Sequence, residues 1–258
     1  MLTLYHHRTS VCAIKVRLVL REKGLPWEGR QLTLQGDQFA PEYLKLNPNA
    51  VVPTLVHDGK VFIESTVIVH YLDEAFPKPA LMPGSPQERA TVRLTEKLVD
   101  EYVHNSCTVL SYATANRVWL AGKSLDEIKA ELARAPDRRR AAAKLDIAEH
   151  GMESPLVAEA VRHHEKLLRH IDAAVGNRPY IAGDRYSLAD IAATPYMWRL
   201  EKLKLARMWD KRPAVAAWYD RIMSRPSFQE AVTNWLTQED DQRYGSNAPD
   251  PWPKVQSI

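Results

Sequence analysis

The stretch that most constrains this chain is Val51-Val52-Pro53-Thr54-Leu55, followed by Asp58-Gly59 and then Ile63-Glu64-Ser65-Thr66. An Asp-Gly pair between two apolar runs predicts a tight β-hairpin, with strands over 54–57 and 60–63. Directly after the second strand a helix is expected over 65–75. The start of a helix presents unpaired N–H groups and the positive end of its dipole, so it attracts a carboxylate, while Glu64 beside it can take an ammonium. A small zwitterion such as an amino acid or a γ-glutamyl peptide suits that pairing. Pro53 removes its own N–H and fixes φ, and its X-Pro bond is open to the cis form.

Before the hairpin, Leu2-Thr3-Leu4-Tyr5 alternates as a short strand does, and Val11, Ile14 and Leu18 recur at helical spacing until Gly24 supplies a stop. A second strand is expected over 27–34, parallel to the first because a helix joins them, and a short helix over 41–46. The order is β-α-β-α-β-β-α. Phe76-Pro77-Lys78-Pro79, with Pro83 and Pro86 close behind, cannot continue a helix and reads as a linker. The expected divisions are therefore 1–77, a linker 78–86, 87–237 and a proline-rich tail 238–258. The third division carries helical patterns over 87–120, 126–145, 154–175, 187–204 and 213–223 and no strand pattern. Residues 121–153, charged and alanine-rich around Pro136, form an extra helical excursion, and the tail is expected to be extended or partly ordered. Tyr186-Ser187-Leu188-Ala189-Asp190-Ile191 has the form of a helix-opening capping box with a hydrophobic staple, a structural motif.

Charge and cysteine content narrow the function classes. With 35 basic against 32 acidic residues in 258, the net charge of +3 is too balanced for a nucleic-acid footprint. Two cysteines, Cys12 and Cys107, make no disulfide framework and fit a reducing compartment, with the cytoplasm as the expected location. No apolar stretch approaches the roughly 20 residues that span a bilayer. His6 and His7 are adjacent on an extended chain and point in different directions, so no metal is assigned.

Asn47-Pro48, Val52-Pro53, Glu64-Ser65 and the helix from Thr66 to Tyr71 resemble the glutathione site of the glutathione S-transferase superfamily, and the Ser187 box stands where that family has its capping motif. The resemblance covers nearly the whole chain. It implies an α/β thioredoxin-like N-terminal domain followed by an all-α domain, glutathione as cosubstrate, and a homodimer. Within it, Glu64 and Ser65 would hold the γ-glutamyl end, Val52 next to Pro53 would pair with the cysteinyl backbone, and Gln38 would approach the glycine end. His57, beside the hairpin turn, is read as a surface residue.

The chemistry implied is that of a thiolate. A free thiol titrates near pH 8.5, and lowering its pKa by about two units takes roughly 2.7 kcal/mol of preferential stabilisation, which a hydroxyl hydrogen bond and a helix N-terminus supply together. Thr9, Ser10 and Cys12 all lie between the first strand and the first helix. Ser10 resembles the catalytic serine of the theta-like and zeta-like classes, and as a plain N-cap it would occupy the same place. Cys12 is the alternative: exposed at the helix start it would favour mixed disulfides, as in omega-like members, although their usual proline beside the cysteine is missing. Tyr5 falls inside the strand. For the electrophile, Tyr102, His104, Tyr112 and Trp119 on one long helix and Tyr196, Trp198 and Trp209 later are candidate aromatic lining, equally suited to core packing. The stretches 57–61 and 64–68, Val99-Asp100-Glu101-Tyr102 and the charged excursion also resemble β-etherase-like transferases, which cleave aryl ethers with glutathione. Three functions follow: a transferase acting on an electrophilic aromatic, by conjugation or ether cleavage; a Cys12-based thiol transferase; and a non-catalytic binding protein of the same fold.

Overall fold

A computed structural model describes residues 1–120, 122–245 and 248–258, with the side chains of Val118 and Trp119 outside the described set. The chain forms two compact units. The first comprises 1–96, 177–195 and 218–236, and the second 97–176, 196–217 and 237–258.

The first unit is built on β1 (Leu2–His6), α1 (Val11–Glu22), β2 (Trp27–Gln31), α2 (Pro41–Leu46), β3 (Thr54–His57), β4 (Lys60–Ile63) and α3 (Ser65–Ala75). The sheet order is β2-β1-β3-β4. β2 runs parallel to β1, and β3 and β4 are antiparallel to their neighbours, which is the mixed thioredoxin-like arrangement. The predicted hairpin turns on Asp58 at φ 48° and Gly59 at φ 80°, the left-handed pair a two-residue turn needs. The Val52–Pro53 bond is cis. β1 alternates because Leu2, Leu4 and His6 face inward. α1 is apolar on nearly every side, and it packs against α3 and, on another face, α11. It stops where expected: the Leu25 amide donates to the Leu20 carbonyl around Gly24, at φ 61°. β2 ends at Gln31, short of the expected 34, because Thr33 and Leu34 donate their amides to the Asp37 carboxylate instead of to a strand.

Helices follow: α4 (Pro86–Leu98), α5 (His104–Ala113), α6 (Leu125–Leu132), α7 (Arg138–His150), α8 (Pro155–Val175), α9 (Leu188–Lys202), α10 (Pro213–Met223), α11 (Pro226–Ala231), α12 (Gln238–Tyr244) and α13 (Trp252–Val255). In the second unit α5 packs against α7 and α8. The helix expected over 87–120 is interrupted. A π segment, Val99–Val103, lets the His104 amide reach back five residues to the Val99 carbonyl, and α5 ends at Ala113, where Ser111 and Thr114 bond their hydroxyls to carbonyls one turn back. Pro136 splits the excursion, and Asp137 caps α7 by accepting the Arg140 amide at 3.0 Å. The tail is not simply extended. Thr237 and Asp240 form a capping box that opens α12, whose Asp240, Arg243 and Tyr244 are buried. The sequence contains that box, and the tail's polar composition masks it.

Candidate functional site

Strand register gathers the candidate residues at one end of the sheet. Tyr5 pairs with Thr54 and Thr54 with Ile63, so the end of β1, the start of β3 and the end of β4 lie side by side. His6 pairs with Gln31, which brings the exit of β2 to the same end. The β1–α1 loop with Ser10, the turn carrying Gln38, the Val52–Pro53 segment and Glu64-Ser65 therefore share one edge. His57 pairs with Leu2 at the opposite end, where its Nδ1 lies 2.7 Å from the Tyr71 hydroxyl.

Ser10 is the N-cap of α1 and accepts the Ala13 amide at 3.3 Å. Its own amide donates to the His7 carbonyl at 3.1 Å. Cys12, in the first turn, is half-buried rather than enclosed, and neither cysteine is in a disulfide. Thr9 is buried, and its amide donates to the His7 ring.

Val52 is fixed from below. The Tyr43 hydroxyl donates to the Val51 carbonyl at 2.5 Å and lies 2.9 Å from the Thr54 hydroxyl, while the Asn47 amide donates to both at 3.0 Å. The Val52 side chain packs with Leu32 and Tyr43, leaving its position set by the core and its backbone by the loop. Asn47 also accepts the Asn49 amide, and Asn49 Nδ2 donates to Glu64 Oε1 at 3.3 Å. This Tyr43–Asn47–Asn49 relay was not read from the sequence beyond the Asn47-Pro48 pair.

Glu64 is the N-cap of α3 with φ 67° and ψ 114°, and its side chain makes no capping bond. Glu64 itself thus does not cap α3, an arrangement that fits a ligand carboxylate at the helix opening, with the exposed Glu64 carboxylate beside it for an ammonium. Ser65 is buried at the first helical position. Lys15 Nζ donates to the Thr66 hydroxyl at 3.1 Å, tying α1 to α3. Gln38 turns its amide oxygen back onto the Gly36 amide at 2.9 Å.

Arg17 and His6 form a second layer that sequence inspection passed over. The guanidinium is fully buried and reaches the His7 and Arg8 carbonyls, and His6 Nδ1 at 3.1 Å. Arginine only donates, so Nδ1 accepts and the proton sits on Nε2. Burial, with Arg17 and His7 adding to it, holds His6 neutral with a pKa near 3. Its ring stands edge-on to Trp27 and Trp235, at 5.4 and 4.7 Å between centroids. A charged pair, Lys15 and Arg17, inside the apolar run 11–20 is the signal that could have revealed this layer.

The aromatic candidates lie in the second unit. Tyr102 is 37% exposed, with Lys166 Nζ 3.9 Å from its ring centre, and half-buried Tyr112 has Lys144 Nζ at 4.6 Å. Trp198 is 1% exposed and packs edge-on to Tyr244, a core residue with no face for a ligand. The Trp119 side chain lies outside the described residues. Among the described residues no three potential metal ligands gather, and no helix is long and apolar enough to cross a membrane.

The fold agrees with the comparisons to known proteins. Residues 4–80 match the family model for the glutathione S-transferase N-terminal domain, and residues 140–226 that for the C-terminal domain. The chain is similar to tetrachloro-p-hydroquinone reductive dehalogenase of Sphingobium chlorophenolicum, with 31% identity over 90% of this chain and 97% of the relative. Among solved structures it resembles the beta-etherase LigF of Sphingobium sp. strain SYK-6, with a TM-score of 0.80 and 29% identity over 89% of this chain and 98% of the other. It also resembles a theta class glutathione S-transferase from Xanthomonas axonopodis pv. citri solved with glutathione bound, with a TM-score of 0.67 and 26% identity over 90% of this chain and 96% of that one.

Proposed function

Because the chain belongs to the glutathione S-transferase family, whose cosubstrate is glutathione, we propose that the sheet edge described above holds the tripeptide with its sulfur at Ser10 and that the enzyme acts on electrophilic aromatic compounds. The observation that carries the reading is the convergence of Ser10, Val52, Glu64 and Ser65 at one sheet end, where the Glu64 side chain makes no capping bond to α3. The opening of α3 takes the γ-glutamyl carboxylate and Glu64 the ammonium. Val52 pairs with the cysteinyl backbone, and Gln38, on releasing Gly36, meets the glycine end. The Ser10 hydroxyl donates to the sulfur and, with the α1 dipole, holds it as the thiolate. The tripeptide supplies the nucleophile: a carbon–sulfur bond forms as the electron pair of the breaking bond leaves either with an aryloxide, which takes a proton from water, or with a halide, which departs as the solvated anion.

The likeness to a beta-etherase and to a tetrachloro-p-hydroquinone reductive dehalogenase supports aromatic acceptors with an oxygen or halogen leaving group. Tyr102 and Tyr112 are the side chains proposed to meet such rings. Residues 1–77 are proposed as the glutathione-binding part. A two-fold dimer is proposed as well, supported by Val61 and Val67, exposed at 41% and 56% beside Phe62 and Tyr71. Two cysteines outside any disulfide and a cosubstrate that must stay reduced fit a cytoplasmic location.

A second reading, glutathione-dependent thiol transfer through Cys12, is favoured by the half-exposed position of that thiol in the first turn of α1. Parallel assays of Ser10→Ala and Cys12→Ala on an aryl ether or halogenated aromatic, and on a mixed disulfide, separate the two. Loss of a charge-assisted hydrogen bond lowers kcat/KM for the aromatic substrate by roughly 10- to 100-fold in Ser10→Ala, and by less than about twofold in Cys12→Ala. A loss confined to the cysteine variant, on the disulfide alone, would establish the second reading instead.

A further inference from the structure

The Arg17 guanidinium is fully buried, yet among the described residues every acceptor it meets is neutral. Nη2 donates to the Arg8 carbonyl at 2.7 Å, Nη1 to the His7 carbonyl at 3.2 Å and to His6 Nδ1, and Nε to the Ala231 carbonyl at 2.7 Å, at the last residue of α11. The Trp235 ring covers it at 5.3 Å. The carboxylates nearest along these elements are engaged elsewhere, Glu22 with Arg225 at 2.7 Å and Glu230 with Arg21 at 3.5 Å. An unpaired buried cation is costly, and an apolar side chain of the same volume would fill the space without that cost. Packing alone does not account for an arginine here.

What distinguishes this arginine is the loop it grips. The His7 carbonyl that receives Nη1 also receives the Ser10 amide at 3.1 Å, so one oxygen joins the guanidinium to the residue that caps α1. We propose that Arg17 is a positioning residue for thiol activation: it locks the 7–10 loop through the His7 and Arg8 carbonyls, and so aims Ser10, while its unneutralised charge favours a thiolate at that loop. This rests on the reading that the glutathione sulfur lies at Ser10.

The surroundings suit a constant charge. Burial lowers the Arg17 pKa to about 9, which still leaves it protonated at neutral pH. On β1 and the loop, His6 is held neutral and His7 and Arg8 contribute carbonyls. On α1 and α11, Arg21 and Glu230 pair with each other. In a poorly polarisable interior a lone charge acts over a longer distance than it does in water.

The test uses the full-length protein with Arg17→Met, which keeps volume and removes charge, and Arg17→Lys, which keeps charge and removes the fork. Two quantities are measured: the pH titration of thiolate ultraviolet absorbance in bound glutathione, and calorimetric affinity for S-methylglutathione, which has no thiol to ionise. Arg17→Met is expected to raise the bound thiol's pKa by about one unit, roughly a tenfold fall in its ionisation constant that lowers the thiolate fraction at neutral pH, with S-methylglutathione affinity changed less than about threefold. Arg17→Lys is expected to raise it by a smaller, measurable amount, and decides the matter should the methionine variant not fold. A thiol pKa equal to the parent's in a folded variant overturns the proposal, and so does a parallel loss of S-methylglutathione affinity. A parent protein that binds no glutathione, or leaves its thiol titrating as in water, overturns instead the placement of the sulfur at Ser10.

Discussion

At the scale of single residues, Glu64 is where backbone and function conflict most openly. A non-glycine residue at φ 67° and ψ 114° lies outside the populated left-handed well, at a cost on the order of 1–3 kcal/mol. The surrounding loop enforces it, through Asn49 and the Asn47–Tyr43 relay. Glu64→Gly relieves the strain and is expected to raise stability by about 1 kcal/mol after the added chain entropy of glycine. The same change removes the carboxylate proposed for the γ-glutamyl ammonium, so glutathione affinity should fall about tenfold or more. Glu64→Gln loses the charge and keeps the strain, and should show the second effect without the first. Thermal unfolding and calorimetry on the two variants separate these contributions.

At the scale of elements, α3 and α4 are joined by His70 and Glu96, with His70 Nε2 2.8 Å from a buried carboxylate oxygen. The hydrogen bond to Glu96, more than burial opposes it, raises the His70 pKa above the ordinary histidine value. A folded-state pKa above the unfolded one means the pair's contribution is complete below about pH 6.5 and fades as pH rises through the folded value. The difference in unfolding midpoint between the parent and His70→Gln should therefore shrink from acid toward alkaline pH. A difference that stays constant or grows would show that the pair does not set the pH response. The hairpin and α1 were legible in advance because Asp58-Gly59 and Gly24 act locally, on their own φ. The break at 99–103 was not, because a π segment depends on how neighbouring turns pack and not on any breaker residue.

At the scale of the whole molecule, Asp190 draws together distant stretches of chain within the first unit. It accepts the Ser187 and Ile181 amides at 3.0 Å and Trp218 Nε1 at 2.9 Å, and burial holds its carboxyl above the usual range despite these bonds. Asp190→Ala strands four buried donors, the Ser187 hydroxyl included, and is expected to cost at least about 3 kcal/mol, read as a lower urea midpoint. The capping half of that role, between Ser187 and Asp190, stood in the sequence; the bonds to Ile181 and Trp218 did not, since they link positions 9 and 28 residues away. The same division holds for the site. The sequence by itself determined the order of strands and helices, the hairpin, the starts of α1 and α3, and hence Ser10, Glu64 and Ser65 as residues at helix openings, because those features are set by neighbours along the chain. Tertiary structure alone decided that Trp198 is core, that Tyr43 and Asn47 brace Val52, and that a carboxylate-free Arg17 grips the loop before Ser10, because burial and hydrogen-bond partners are fixed only when segments far apart in the chain meet.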